Sequence, residues 1–354
     1  MRNSSTRSFS AVSQNGSLER RRKEKQRKII TAAIAVVALL IAVFSFLILG
    51  EIFGWFDKTE PDPNKNGGKT IAYEEKLIAS SDIHKGDLLL INSAFPYVFP
   101  EKAPTTLSLY PIVGAYKLPG SANAAKLEAE TFHAFVNMTL AFSEATGESN
   151  LYIYNDDGYR TADEQAALYA ENAQYSNVLY TNVGETEHHL GTAIDLYIFD
   201  SQRFFLDDGN YKETYSWIYE NAHKYGFIAR YPNGNPDINT DKDLLQHKNN
   251  YNIYKEFYQF RYVGVAHATY MYQNNLSLEE YLDLLCDSYL YEGEHLKIEG
   301  ADGKSYEVYY VNASTDSVTT VHVPKADEAA VESYEISGDN KSGFIVTVTL
   351  ADKE

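Results

Sequence analysis

Cysteine is almost absent. Cys286 is the only one in 354 residues, so no disulfide can close within the chain. This argues against a small secreted scaffold that relies on disulfide staples in place of a core. Positive charge is scarce once the N-terminus is passed. Lys and Arg number 31 against 49 Asp and Glu, a formal net charge of −18. Residues 1–28 hold nine Lys and Arg against two Glu, which leaves about −25 on the remainder. A surface this acidic repels phosphate backbones, so nucleic acid is not an expected partner. Internal repeats are lacking too, which excludes a repeat array. The apolar fraction, 44%, is ordinary for a globular protein, whereas Tyr, with 29 copies, is unusually common. The length leaves room for about two domains and some extra segments.

One apolar run stands out. Residues 29–49 are broken only by Thr31 and Ser45, and the run is closed by Glu51. At ~1.5 Å per residue it would span ~31 Å as a helix, enough to cross a hydrocarbon core. Trp55 and Phe56 suit the interface. The basic cluster from Arg20 to Lys28 flanks the N-terminal side, so residues 1–28 are expected in the cytoplasm and the bulk of the chain outside. A cleaved signal peptide would carry a shorter apolar region and a small-residue cleavage site, which Leu-Ile-Leu-Gly-Glu does not supply. Residues 57–70 gather Pro, Gly and Asn without apolar period and read as a linker.

The folded part begins near Ile71. Residues 86–92, GDLLLIN, read as a short buried strand. Residues 121–146 suit an amphipathic helix stopped by Gly147. Residues 151–154 suit a strand. Thr161 followed by Glu164 is a capping signature for a helix reaching about Ala173. Residues 192–199 read as a buried strand, 211–225 as a helix ending at Gly226, and 227–231 and 260–263 as strands. Two helices are expected between 265 and 290. After Glu292 the texture changes: 306–312, 317–323, 333–337 and 344–350 alternate polar and apolar residues between turn signals, which predicts a small antiparallel β module.

Three groups of residues can carry chemistry. In Glu187-His188-His189-Leu190-Gly191-Thr192-Ala193-Ile194-Asp195, His188 and Asp195 would lie ~23 Å apart if extended. They can share a metal only if Gly191 turns the chain back. A carboxylate inside an apolar strand needs a cation or a metal to offset its desolvation; a local cap or ion pair would also serve. In Asp157-Gly158-Tyr159-Arg160-Thr161, with Gln165 one helical turn on, Arg160 can present its fork to a carboxylate or a developing oxyanion, or pair with a nearby acid. In Glu256-Phe257-Tyr258-Gln259-Phe260-Arg261-Tyr262-Val263-Gly264, Glu256 taken alone reads as a solvated carboxylate.

In order and spacing these segments resemble the VanY-like D-alanyl-D-alanine carboxypeptidases. DGYRTADEQ is similar to that family's SGYRS…Q motif. EHHLGTAIDL is similar to SxHxxGxAxD, with Thr186 in the Ser slot. EFYQFRYVG is similar to ExWHxRYVG, and GFIARYP at 226–232 also fits. The resemblance covers residues from about 80 to 290. It implies that His188 and Asp195 are zinc ligands, that Glu256 is the general base on the attacking water, and that Arg160 stabilises substrate or transition-state charge. Tyr159, Gln165 and Thr186 are the further substrate-binding candidates. The implied partner is a peptidoglycan stem peptide, in addition to the lipid bilayer around the N-terminal helix.

At the family's third zinc ligand, a His, this sequence has Gln259. An amide oxygen is a poor substitute for the imidazole, thiolate or carboxylate that zinc prefers. His247, in an extended link at 233–255, is a candidate replacement, and His267 is another. The expected architecture is α+β, with mixed helices around a small antiparallel sheet, one transmembrane helix before it and a small β module after it. The segments are 1–28 (basic, cytoplasmic), 29–53 (transmembrane helix), 54–70 (linker), 71–292 (carboxypeptidase-like domain) and 293–354 (β module). The expected function is a membrane-anchored zinc D-alanyl-D-alanine carboxypeptidase-like protein. The alternatives are a catalytically inactive domain of the same fold that binds wall peptide or a protein partner, and a structural role in which the β module is the functional part.

Overall fold

The computed structural model describes residues 71–109, 125–147, 151–153, 157–171, 181–200, 203–204, 212–230, 259–326 and 328–351. The expected membrane span and linker, and with them Glu256 and His247, lie outside the described residues. Among the described residues no helix is long and apolar enough to cross a membrane.

In chain order the strands are β1 (Tyr73–Ala79), β2 (Thr106–Ser108), β3 (Lys126–Glu128), β4 (Leu151–Tyr152), β5 (Ala193–Asp195), β6 (Tyr197–Asp200), β7 (Arg203–Phe204), β8 (Phe227–Ala229), β9 (Gln259–Tyr262), β10 (Leu296–Glu299), β11 (Ser305–Asn312), β12 (Val318–Pro324), β13 (Val331–Gly338) and β14 (Gly343–Leu350). The α-helices are α1 (Ala129–Thr146), α2 (Ala162–Glu171), α3 (Lys212–Asn221), α4 (Val265–Asn274) and α5 (Leu278–Ser288). The architecture is mixed α+β with small antiparallel sheets.

Helix α1 starts where the Glu128 carboxylate accepts from the N–H groups of Glu130 and Thr131, at 2.8 and 3.2 Å. It ends where Gly147 takes φ 73°. Phe132, Phe135, Met138, Thr139 and Phe142 fall on one face and are buried. Phe132, Phe135, Met138 and Phe142 pack with Ile194, Leu196, Phe227 and Phe260 in a first core. Over it lies the three-stranded sheet β5–β9–β8. The antiparallel register pairs Ala193 with Arg261, Ile194 with Phe260, and Asp195 with Gln259. Opposed residues project to the same face, so Ile194 and Phe260 enter the core while Asp195 and Gln259 face the other way together.

The C-terminal sheet runs β10–β11–β14–β13. Its alternation serves two cores. Tyr306, Val308, Tyr310 and Ile345 pack on α4 and α5 with Leu278, Tyr281, Leu282 and Leu285. Tyr309, Phe344, Val346 and Val348 pack with Val321 and Val323 of β12. β12 pairs along its length with β1, from Ala79–Val318 to Tyr73–Pro324. The C-terminal sheet structure therefore draws a strand from residue 73 onward. Residues 88–91 are buried as the Leu-rich run predicts, but they form no strand. Leu90 instead donates its N–H to the carbonyl of Asp339, at the tip of the β13–β14 hairpin.

Candidate active site

The short 3-10 turn Glu187–Leu190 presents both histidines of the EHHL segment. The Thr186 hydroxyl caps it by accepting from His188 N–H at 3.3 Å. Gly191 then turns the chain at φ 77°. A Cβ there would stand 3.1 Å from Glu128 N, which itself donates to the Gly191 carbonyl at 2.9 Å. Glycine is required on both counts. The reversal sends the chain into β5 and brings Asp195 back to His188.

His188 Nε2 lies 3.4 Å from Asp195 Oδ2, with both side chains buried. His188 Nδ1 is 2.8 Å from the Gly158 carbonyl. A carbonyl only accepts, so Nδ1 carries the proton and the neutral ring turns the Nε2 lone pair toward the carboxylate. Two electron-rich atoms then face each other. A proton on Nε2 would bridge them, but 3.4 Å is longer than N–H···O bonds usually run. In a tetrahedral zinc site with bonds of about 2.0–2.2 Å, two ligand atoms stand about 3.4 Å apart. Asp195 Oδ1 is buried and finds no hydrogen-bond partner among the described residues. This orphaned acceptor, the fixed tautomer and the spacing all fit a divalent metal. Gln259 is buried and directly opposite Asp195 on the same sheet face, so it adjoins this pair. Among the described residues no group of three His, Cys, Asp or Glu converges.

His189 is of another kind. Its Nδ1 lies 2.8 Å from the Arg160 carbonyl and its Nε2 accepts the Gly184 N–H at 3.1 Å. Both contacts suit one neutral tautomer, and burial holds its pKa below the usual value. It is a strut between two loops. His267, a candidate replacement ligand, is placed away from the pair. Its ring nitrogens meet Tyr281 Oη at 2.7 Å and Thr347 Oγ1 at 2.8 Å within the second core. Two hydroxyls already use both nitrogens, so it is not a metal ligand there.

Arg160 is buried and brought to the same turn. Its N–H donates to the His188 carbonyl at 3.1 Å and its Nη2 reaches the Thr186 hydroxyl at 3.4 Å. Tyr159 adjoins it, with its N–H on the Lys126 carbonyl. Gln165, on α2, donates to the Thr181 carbonyl at 2.7 Å, while its Oε1 is buried without a partner among the described residues. Below the turn lies a charged network whose membership the sequence did not disclose. Arg230 Nε donates to Glu187 at 2.7 Å, and its Nη1 and Nη2 grip both oxygens of Glu279 at 2.9 and 2.5 Å. Arg261 stands 3.6 Å from the same Glu187 oxygen and donates to the Asp87 carbonyl at 2.8 Å. The GFIARYP segment marked Arg230 only as a motif residue.

Residues 124–243 match the family described as VanY, D-alanyl-D-alanine carboxypeptidase. A D-alanyl-D-alanine carboxypeptidase of Enterococcus faecium is 32% identical over 298 residues, 83% of this chain and 85% of the relative. The chain belongs to the D-alanyl-D-alanine carboxypeptidase family. A second family relative, from Enterococcus faecalis, is 30% identical over 154 residues, 40% of this chain and 51% of its own length. Among solved structures, the vancomycin resistance D,D-dipeptidase VanXYg, bound to a D-Ala-D-Ala phosphinate analog, aligns with TM-score 0.61 at 23% identity. The match covers 78% of this chain and 99% of that one, and shows the shared fold.

Proposed function

We propose that the chain is a zinc-dependent D-alanyl-D-alanine carboxypeptidase, anchored in the membrane by residues 29–53, that trims the C-terminal D-residue of peptidoglycan stem peptides outside the cell. The observation that carries the reading is the His188–Asp195 pair: a lone pair and a carboxylate facing each other at 3.4 Å, with a second carboxylate oxygen left over. His188 and Asp195 would hold the metal, with Gln259 beside them. Zinc supplies Lewis-acid polarisation and acidifies water. Arg160 binds the terminal carboxylate of the peptide, where its planar fork gives both charge and orientation. Thr186 holds that guanidinium from one side, and Tyr159 and Gln165 line the approach. Glu256 takes the proton of the attacking water and passes it to the leaving D-alanine amine. The basic flank at Arg20–Lys28 supports a cytoplasmic N-terminus.

Gln259 favours a second reading, a domain that engages wall peptide without cleaving it. A neutral amide in the third ligand position leaves two strong ligands, where catalytic zinc sites normally have three. Zinc content after dialysis, measured beside peptidase activity on a D-Ala-D-Ala peptide, separates the readings. The expected result is zinc-concentration-dependent hydrolysis that His188→Ala and Asp195→Ala abolish. Gln259→His should tighten zinc by at least the roughly 10–100-fold that outer-shell partners of a metal are worth. Peptide binding without turnover at any zinc level would leave the binding reading. A Gln259→His variant with unchanged zinc affinity would show that position 259 does not reach the metal.

A further inference from the structure

The C-terminal hairpin reaches the neighbourhood of the site with Asn340 at the centre of its contacts. Asn340 sits at the tip between β13 and β14 with φ 62°, a left-handed conformation that Asn tolerates. Its side-chain amide donates toward three carbonyls of one distant segment: Leu90 at 2.9 Å, Phe95 at 3.0 Å and Pro96 at 3.2 Å. Its Oδ1 meets His84 Nδ1 at 2.6 Å, and its own N–H donates to the Ile83 carbonyl. Asn340 is buried, and every polar atom of its side chain is engaged in holding residues 83–96. Around it the hairpin adds further ties. Ser337 Oγ accepts Leu88 N–H, and the Asp339 carbonyl accepts Leu90 N–H.

The strap so held continues onto the turn that carries His188. Tyr97 donates its N–H to the Gly184 carbonyl at 2.7 Å and stacks on His189, with ring centroids 5.9 Å apart. Phe99 meets the same imidazole edge-on at 4.8 Å. Val98, Phe99 and Val183 are all more than one-third exposed, so this end of the strap is an open apolar lip beside Tyr159 and Arg160. A rigid lip needs a rigid anchor, because residues 88–96 form no strand of their own.

We infer that the lip 95–99 is the wall of the cleft that receives the part of the peptide preceding its terminal D-residues, and that Asn340 of the C-terminal hairpin is the positioning residue that sets it. The inference rests on the proposed peptidase reading. It assigns the C-terminal module a share in substrate binding, although none of its described residues hydrogen-bonds to His188 or Asp195.

The test compares Asn340→Gly, which keeps the left-handed backbone and removes the side chain, with Asn340→Asp, which turns a carboxylate oxygen toward three carbonyls. Four quantities are read on the full chain: zinc affinity, KM and kcat on a pentapeptide ending in D-Ala-D-Ala against the free dipeptide D-Ala-D-Ala, and hydrogen exchange at the amides of 95–99. Asn340→Gly should raise KM for the pentapeptide about tenfold, with kcat and zinc affinity within about twofold. KM for the dipeptide should stay unchanged, Tyr97 N–H should exchange faster, and Asn340→Asp should be worse on each count. Unchanged pentapeptide KM with folded protein in both variants overturns the inference. So does an equal loss on pentapeptide and dipeptide. If the unmodified chain neither binds nor cleaves either peptide at any zinc level, the peptidase reading fails instead, and the exchange data alone still report whether Asn340 holds the lip.

Discussion

His188 and His267 are equally withdrawn from water, at 2% and 5% exposure, and their surroundings treat them differently. His267 sits under the C-terminal sheet with a hydroxyl on each nitrogen, Tyr281 at 2.7 Å and Thr347 at 2.8 Å. A hydroxyl can donate or accept, so the neutral ring is satisfied whichever nitrogen carries the proton. His188 has one nitrogen committed to a carbonyl and the other aimed at a carboxylate that keeps a second oxygen unmet. Buried polar groups are normally paired, and an orphan needs a reason. In the C-terminal core the demands are met from within the chain. In the β5–β9 region they are not, and that residue of unmet demand is what distinguishes a ligand site from a core built of similar residues.

Arg230 joins the two regions, and breaking it is the largest test of their coupling. It grips Glu187, next to His188, and Glu279 on α5, all three almost fully buried. Removing one partner of a buried ion pair leaves uncompensated charge and costs about 3–5 kcal/mol. Arg230→Met should therefore lower stability by about that amount in chemical denaturation. It should also weaken zinc binding, because Glu187 fixes the turn. A loss near ~1 kcal/mol would mean that water already reaches the carboxylates.

His267 lies wholly within the C-terminal core. Burial lowers its pKa from 6.5 to about 4. Tyr281 beside it is pushed up by burial and keeps its proton. Between these two pH values the unfolded chain binds a proton that the folded chain refuses, so stability rises with pH through the window. The contribution is fully present above about pH 6.5 and is lost as pH falls toward 4, up to on the order of 3 kcal/mol. His267→Gln should flatten the curve between pH 4 and 6.5 while leaving zinc affinity at pH 7 unchanged. A zinc affinity that falls with this variant would place His267 in the site after all.

Local signals were legible wherever one stretch of chain carries them. Gly147 and Gly226 end their helices at φ 73° and 82°. Thr161 and Glu164 make the capping contacts their spacing predicts. The strands after Glu292 appear within a residue or two of the alternating runs, with β10 added before them. The His188–Asp195 approach followed from a single turn at Gly191. What sequence reading missed depends on partners far along the chain. The run 88–91 looks like a strand because burial selects the same residues, yet its partner is a hairpin tip 250 residues away. Glu279 has no partner within its own stretch of chain, and the fold brings Arg230 to it from 49 residues away. β1 was invisible because β12, its template, lies beyond the whole domain between them.

The same capping motif occurs in both regions. Thr161 and Ser277 each close a capping box, with the hydroxyl accepting the N–H of Glu164 or Glu280 at 3.2 Å in both cases. The Glu carboxylate returns to the cap N–H at 2.8 and 2.9 Å. Removing either hydroxyl should cost about 1 kcal/mol. Ser277 is buried and Thr161 exposed, so Ser277→Ala should lie at the upper end of that range. Their consequences for peptide binding should separate. Thr161 follows Arg160 directly, and its cap fixes the start of α2 and the direction in which Arg160 leaves it; Ser277 begins α5, whose apolar face packs under the C-terminal sheet. Thr161→Ala should therefore raise KM about two- to fivefold through looser placement of the guanidinium, with Ser277→Ala leaving KM where it was. Equal KM for the two variants at equal loss of stability would show that the Thr161 cap has no part in placing Arg160, and that the bond from its backbone N–H to the His188 carbonyl and the contact of its guanidinium with Thr186 suffice without it.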